Sequence, residues 1–233
     1  MKKLLLSAFA MLTLASAASA VVLWDQTNLK PVVSAGQIVG DGSVNLGSNG
    51  CSQISGNTRV HNTSDVTFAT PVVVTKITIL EKAGNVQAAT QAFLWIGQKT
   101  GPFPTVPSDS LYNLTVGLRL VPITVGAPQV VNGVTCVAVS ATLNRALAAG
   151  DYWISLTPRQ NLGLFPYNVH LITSGPIVGS PTRAIEACTL NSNWFTPLAS
   201  AYPGGLDYSI KVEGDIPVPA AGSTWGRLKS IYR

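Results

Sequence analysis

Val74-Thr75-Lys76-Ile77-Thr78-Ile79-Leu80 alternates along its length, with Lys76 and Thr78 polar and Ile77 and Ile79 apolar. A period of two with one apolar face marks a half-buried strand of an antiparallel sheet. The pattern recurs on either side of this stretch. Phe93 and Trp95 share one face while Leu94 and Ile96 share the other, and Tyr152, Ile154 and Leu156 oppose Trp153 and Ser155. Short runs of Val, Ile, Thr, Leu and aromatics, separated by Gly, Pro, Asn and Ser clusters, predict strands over 21–25, 66–68, 72–80, 91–97 and 117–125. Further strands are predicted over 129–142, 151–157, 169–173, 183–186 and 206–212. The segment 40–64 is rich in Gly, Asn and Ser and is expected to be irregular.

No stretch of the body has the 3.6-residue period that a parallel α/β fold would need for its helices. With 21 Gly and 15 Pro in 233 residues, the expectation is all-β: an antiparallel β-sandwich of jelly-roll type. A closed barrel is the alternative the pattern leaves open. A chain of this size buries about 70% of its unfolded surface, so its core does not depend on metal or disulfide staples.

The two ends differ from the body. Met1 to Ala20 has Lys2 and Lys3, an apolar stretch from Leu4, and small residues ending Ala18-Ser19-Ala20. That is the three-part layout of a secretory signal peptide cleaved after Ala20. The apolar run is shorter than the ~20 residues a membrane span requires, and no later stretch reaches that length. The domain reading is therefore a signal peptide over 1–20, a β domain over 21–215, and a tail over 216–233. The net charge of +5 lies at the ends, because residues 21–215 hold ten basic and ten acidic side chains. A neutral body lacks the basic face that nucleic-acid binding needs.

Export permits disulfides, yet Cys51, Cys136 and Cys188 are three. Cys136 lies in the apolar run Val134-Thr135-Cys136-Val137-Ala138-Val139 and reads as a buried core residue. Cys51 and Cys188 lie in loop-like sequence and are the expected pair. Neither His61 nor His170 has a nucleophile motif beside it. The ten acids are scattered singly, with Glu81, Glu186, Asp207, Glu213 and Asp215 at expected strand ends, so no carboxylate pair for glycoside hydrolysis is visible. Asp41-Gly42-Ser43-Val44-Asn45 offers oxygen donors at alternate positions, and with Asp25 it is the candidate Ca2+ site; no other cofactor is implied. Aromatic rings in loop sequence, Trp194, Tyr167 and Phe165, are the candidate sugar-stacking residues, whereas Trp95 and Trp153 lie in apolar strands and read as core.

The segment Ala141-Thr142-Leu143-Asn144-Arg145-Ala146-Leu147-Ala148-Ala149-Gly150-Asp151-Tyr152-Trp153-Ile154-Ser155-Leu156 resembles a segment of the secreted bacterial β-sandwich proteins of the PEP-CTERM or choice-of-anchor type. Asp65 to Phe68, Ala92 to Ile96 and Leu206 to Gly214 resemble further strands of that family. The likeness touches most of 60–214 and implies an exported β-sandwich; it implies no chemistry. The family's double Asp is Ser64-Asp65 here, and its apolar sorting helix is missing. In its place, a Pro-rich linker over 216–222 leads to Ser223-Thr224-Trp225-Gly226-Arg227-Leu228-Lys229-Ser230-Ile231-Tyr232-Arg233. Ser223 is a good N-cap. Trp225, Leu228 and Tyr232 recur at helical spacing, with Arg227, Lys229 and Arg233 toward the helix end that favours cations. Two readings follow: a frayed tail, since a helix of about ten residues is marginal alone in water, or a short amphipathic helix that serves as a docking segment for sorting machinery. The expected function is a non-catalytic domain of the cell surface or extracellular matrix, with polysaccharide or other surface proteins as partners. A carbohydrate-binding module is the alternative and a secreted hydrolase the third reading.

Overall fold

A computed structural model describes residues 20–28, 38–44, 58–104, 119–131, 134–159, 168–171, 177–181, 183–187 and 207–217. The described chain is all-β and antiparallel. Its strands are β1 (Val21–Asp25), β2 (Ile38–Val44), β3 (Thr58–Phe68), β4 (Val72–Lys82), β5 (Gln91–Gln98) and β6 (Arg119–Val125). They continue as β7 (Gln129–Val131), β8 (Val134–Leu147), β9 (Gly150–Arg159), β10 (Asn168–Leu171), β11 (Arg183–Ala187) and β12 (Ile210–Asp215). One 3-10 turn, Asn85–Ala88, links β4 to β5.

The strands form one ladder that returns on itself through β4, β8, β6, β5, β9, β3, β2, β10 and back to β4. Two strands turn the corners by changing partner midway. Strand β6 pairs with β5 over Arg119–Pro122 and with β8 over Ile123–Val125. Strand β2 pairs with β10 up to Asp41 and with β3 from Gly42. Segment 40–64 is therefore not wholly irregular, contrary to its composition. Its Gly and Asp carry a corner strand, where partner exchange needs backbone freedom more than an apolar face. Strand β3 likewise begins at Thr58 and is paired on both sides, by β2 and β11, at Arg59 and Val60.

The core lies between two walls of this ring. Val72, Val74, Ile77 and Ile79 of β4, Val137, Val139 and Ala141 of β8, and Ile210 and Val212 of β12 face Val66 and Phe68 of β3, Leu94 and Ile96 of β5, and Tyr152, Ile154 and Leu156 of β9. The alternations read in β4, β5 and β9 point the way the sequence predicts. The second face of β9 is buried as well: Trp153 lies in the core as its apolar strand predicts, and Ser155 and Thr157 are buried beside it although they are polar. Phe93 and Trp95 are buried on the same side of the neighbouring β5.

One wall is bent. Strand β8 slips by a residue against β4 between Val74 and Lys76, and β4 slips against β12 between Glu213 and Gly214. Bulges of this kind increase twist and turn a sheet. Gly214 allows the bend, since a Cβ there would run into the Val73 carbonyl oxygen.

Candidate functional site

The polar residues that the fold gathers stand where β12 begins. Asp207, Tyr208 and Ser209 are all buried, and each is tied to a different part of the ring. The Tyr208 hydroxyl donates to Asn62 Oδ1 of β3 at 2.8 Å. The Ser209 hydroxyl accepts from the Leu80 N–H at 3.1 Å and donates to the Leu80 carbonyl at 3.2 Å. Asp207 Oδ2 accepts from the Val178 N–H at 2.8 Å and from Gln26 Nε2 at 3.2 Å. Gln26 is itself held by Trp24, whose Nε1 donates to its Oε1 at 3.0 Å.

A second carboxylate completes the cluster. Asp65 of β3, also buried, forms an ion pair with Lys99 and accepts from the Ser180 N–H at 2.7 Å. The Lys99 ammonium also lies 5.2 Å from the centroid of the Trp153 ring, within reach of a cation–π attraction. Val178-Gly179-Ser180 thus presents two backbone donors to two aspartates. Gly179 between them has φ +76°, and a Cβ there would meet the Asp65 carboxylate. Only glycine adopts this conformation freely and leaves the acid room.

Burial pushes Asp207 up to about 6. The Val178 hydrogen bond opposes that rise, the Asp65 charge adds to it, and Gln26 and Lys99 oppose it. Asp207 Oδ1 is buried with no hydrogen-bond partner, which fits a carboxyl that carries a proton at mildly acidic pH. Asp65 is paired with Lys99. An acid held up and a paired carboxylate together resemble a general acid and its partner, but a glycosidase must expose both groups to a substrate between them. Here both are sealed.

The other sequence candidates are distributed as follows. Asp25 closes β1, and its Oδ1 accepts from the Thr27 N–H at 3.0 Å and the Thr27 hydroxyl at 2.5 Å. Asp41 lies in β2, and the ladder places β12, β4 and β10 between it and β1. Asn45 lies outside the described residues, as do Cys51, Cys188, Phe165, Tyr167, Trp194 and the whole tail from Trp225 to Arg233. Among the described residues no three His, Cys, Asp or Glu side chains converge. Cys136 is free and fully buried, and burial raises its thiol pKa. His61 pairs with Ile185 and His170 with Val39 and Glu81 along their strands.

Sequence reasoning lists Asp207 among strand-end acids and meets Asp65 only in a structural motif. Nothing in their spacing announces that they meet, because the residues that join them lie at 26, 99 and 178–180. Searches against protein-family models, curated proteins and solved structures find no match to this chain.

Proposed function

We propose that this chain is an exported, non-catalytic β domain that acts in structure or adhesion at the cell surface or in the extracellular matrix. The observation that carries the reading is the use of Asp65 and Asp207. The acids that the fold brings together are buried and fastened to backbone N–H groups, as structural locks are, instead of facing a cleft. The position of β1 supports export. It begins at Val21 and pairs with β12 from its first residue, so cleavage after Ala20 leaves the strand whole. A sandwich of jelly-roll type, with two walls joined by corner strands, belongs to the same reading, as do the resemblance to PEP-CTERM or choice-of-anchor domains and a docking role for the tail. Strands β1 and β7 each pair on one side among the described residues and carry exposed Val21, Val22 and Val130, edges of the kind that add strands from other chains.

The carbohydrate-binding alternative gains little from the described aromatics. Trp24 is half-buried, Trp95 and Trp153 are buried, and Phe103 is exposed, so its stacking faces would have to come from Phe103 and from Trp194, Tyr167 and Phe165, which lie outside the described residues. The test is production of the full chain in a bacterial host, followed by fractionation and N-terminal sequencing. The expected product starts at Val21 outside the cytoplasm; an intact Met1 product in the cytoplasm overturns export. Turnover of a glycoside or ester by the purified chain that disappears in Asp207→Asn overturns the non-catalytic reading.

A further inference from the structure

Core-facing positions of a closed sheet are ordinarily apolar, since an arginine there must find a partner or keep its head in water. Two arginines break this rule at the same place. Residues directly opposite one another in an antiparallel pair point to the same face. Arg119 of β6 is opposite Leu94, and Arg145 of β8 is opposite Val74. Leu94 and Val74 both belong to the core. Arg119 and Arg145 therefore occupy inward rows, one on each wall.

Between them is a cavity of about 540 Å³, with Leu94, Ile96, Val121 and Leu143 among its lining residues. Its origin is topological. Strand β6 leaves β8 after the Ile123–Ala141 pair to join β5, while the bulge near Leu143 and Asn144 turns the end of β8. The walls part there, and the space between them stays open. Leu94 and Ile96 are buried at its floor, and both arginines are exposed at its rim. The ion pairs among the described residues lie elsewhere, at Asp65–Lys99 and around Glu213.

We infer that this cavity binds an aliphatic monocarboxylate, with its chain against Leu94, Ile96, Val121 and Leu143 and its carboxylate between Arg119 and Arg145. The volume lies within the range of roughly 300–1,000 Å³ typical of small-molecule sites, and the lining joins apolar Leu94, Ile96, Val121 and Leu143 to polar Thr142 and Asn144 beside the two arginines. Guanidinium forks match a carboxylate in charge and geometry. The described lining contains no aromatic ring, so it offers no stacking face for a sugar. Inward charges also guard open strand edges against mispairing, and that role alone requires no ligand.

Isothermal titration of the mature chain with decanoate, decanol and acetate separates these roles. Decanoate is expected to bind at least tenfold more tightly than decanol, which lacks the charge, and than acetate, which lacks the chain. Arg119→Gln combined with Arg145→Gln should weaken decanoate at least tenfold and leave decanol unchanged. The inference is overturned if decanoate does not bind, if decanol or acetate binds equally well, or if a folded double variant keeps full affinity for decanoate. The three ligands compared on the parent chain decide the matter even if the double variant does not fold. Self-association of the double variant, with no decanoate binding by the parent, assigns the arginines to edge protection instead.

Discussion

Two clusters of charge in this molecule invite comparison. At the start of β12, Asp65, Lys99 and Asp207 are withdrawn from water and fastened to Gln26, Val178 and Ser180. At the corner between β6 and β8, Arg119 and Arg145 stand on inward rows yet remain exposed beside a cavity. The first cluster joins segments far apart in sequence, with Asp65 paired to Lys99 and both aspartates tied to backbone N–H groups. The second joins two walls that have separated, and its like charges repel. Buried charge tied to backbone donors acts as a fastening, whereas charge at an opening with no ion partner among the described residues acts as a recognition element. Breaking the first should therefore cost stability, and breaking the second should cost binding.

The largest effect is expected from Asp65→Ala. It leaves the Lys99 ammonium, whose side chain is 16% exposed, without its counter-charge, and removing one partner of a buried pair costs about 3 kcal/mol or more. Urea unfolding followed by tryptophan fluorescence measures this. Replacing both partners, as Asp65→Asn with Lys99→Met, should recover most of the loss, because no uncompensated charge remains. A double variant as unstable as Asp65→Ala would mean that packing, and not charge, fastens this corner.

Next comes a pH effect at Asp207. Its value of about 6 in the folded chain is above the ~4 of an unfolded aspartate. Between those values the native state holds more protons than the unfolded state, so this group's contribution is fully favourable below pH 4 and is lost as pH rises through 6. The size is on the order of 2 to 3 kcal/mol. Asn at this position has nothing to ionise. From pH 4 to pH 7 the stability of Asp207→Asn relative to its parent should shift in the variant's favour by that amount. Parallel stability curves for the two proteins would place Asp207 outside the lock.

Gly179→Ala should follow, at roughly 2 kcal/mol, from a side chain forced into a left-handed conformation and pressed on the Asp65 carboxylate. The Ser180 hydrogen bond should loosen with it, which amide hydrogen exchange at Ser180 would register.

How much of this the sequence announces differs between the same two regions. The strands were legible wherever one face is apolar. Strand β1 coincides with its expected span, and Leu94, Ile96, Ile77 and Ile79 face the core as alternation requires. Strand β2 was not legible, because Gly40, Asp41 and Gly42 suit a change of partner and look like loop. The double burial of β9 was half legible: Trp153 reads as core, while Ser155 and Thr157 look like a wet face and are not. The polar lock was illegible, since Gln26, Asp65, Lys99 and Asp207 are joined through tertiary contacts that leave no spacing to read. The arginine cavity was hidden for a different reason. Arg145 lies within the Leu143–Leu147 stretch quoted for the family resemblance, but the bulge that decides its face is visible only in the pairing with β4.

The smallest effect on stability is expected from Arg119→Gln with Arg145→Gln, and this smallness is the informative result. Exposed arginines with no ion partner among the described residues contribute little to folding, and relief of repulsion between two like charges offsets the packing that their stems lose. The double variant should unfold within about 0.5 kcal/mol of its parent, as surface changes commonly do. A loss as large as that of Asp65→Ala would show that both arginines are fastened, and the distinction between the two clusters would collapse. A neutral or stabilising outcome, beside the Asp65→Ala loss, would leave folding without a reason to keep two cations on inward rows. The reason would then lie either in what enters between them or in protection of the strand edges, and the decanoate titration separates the two.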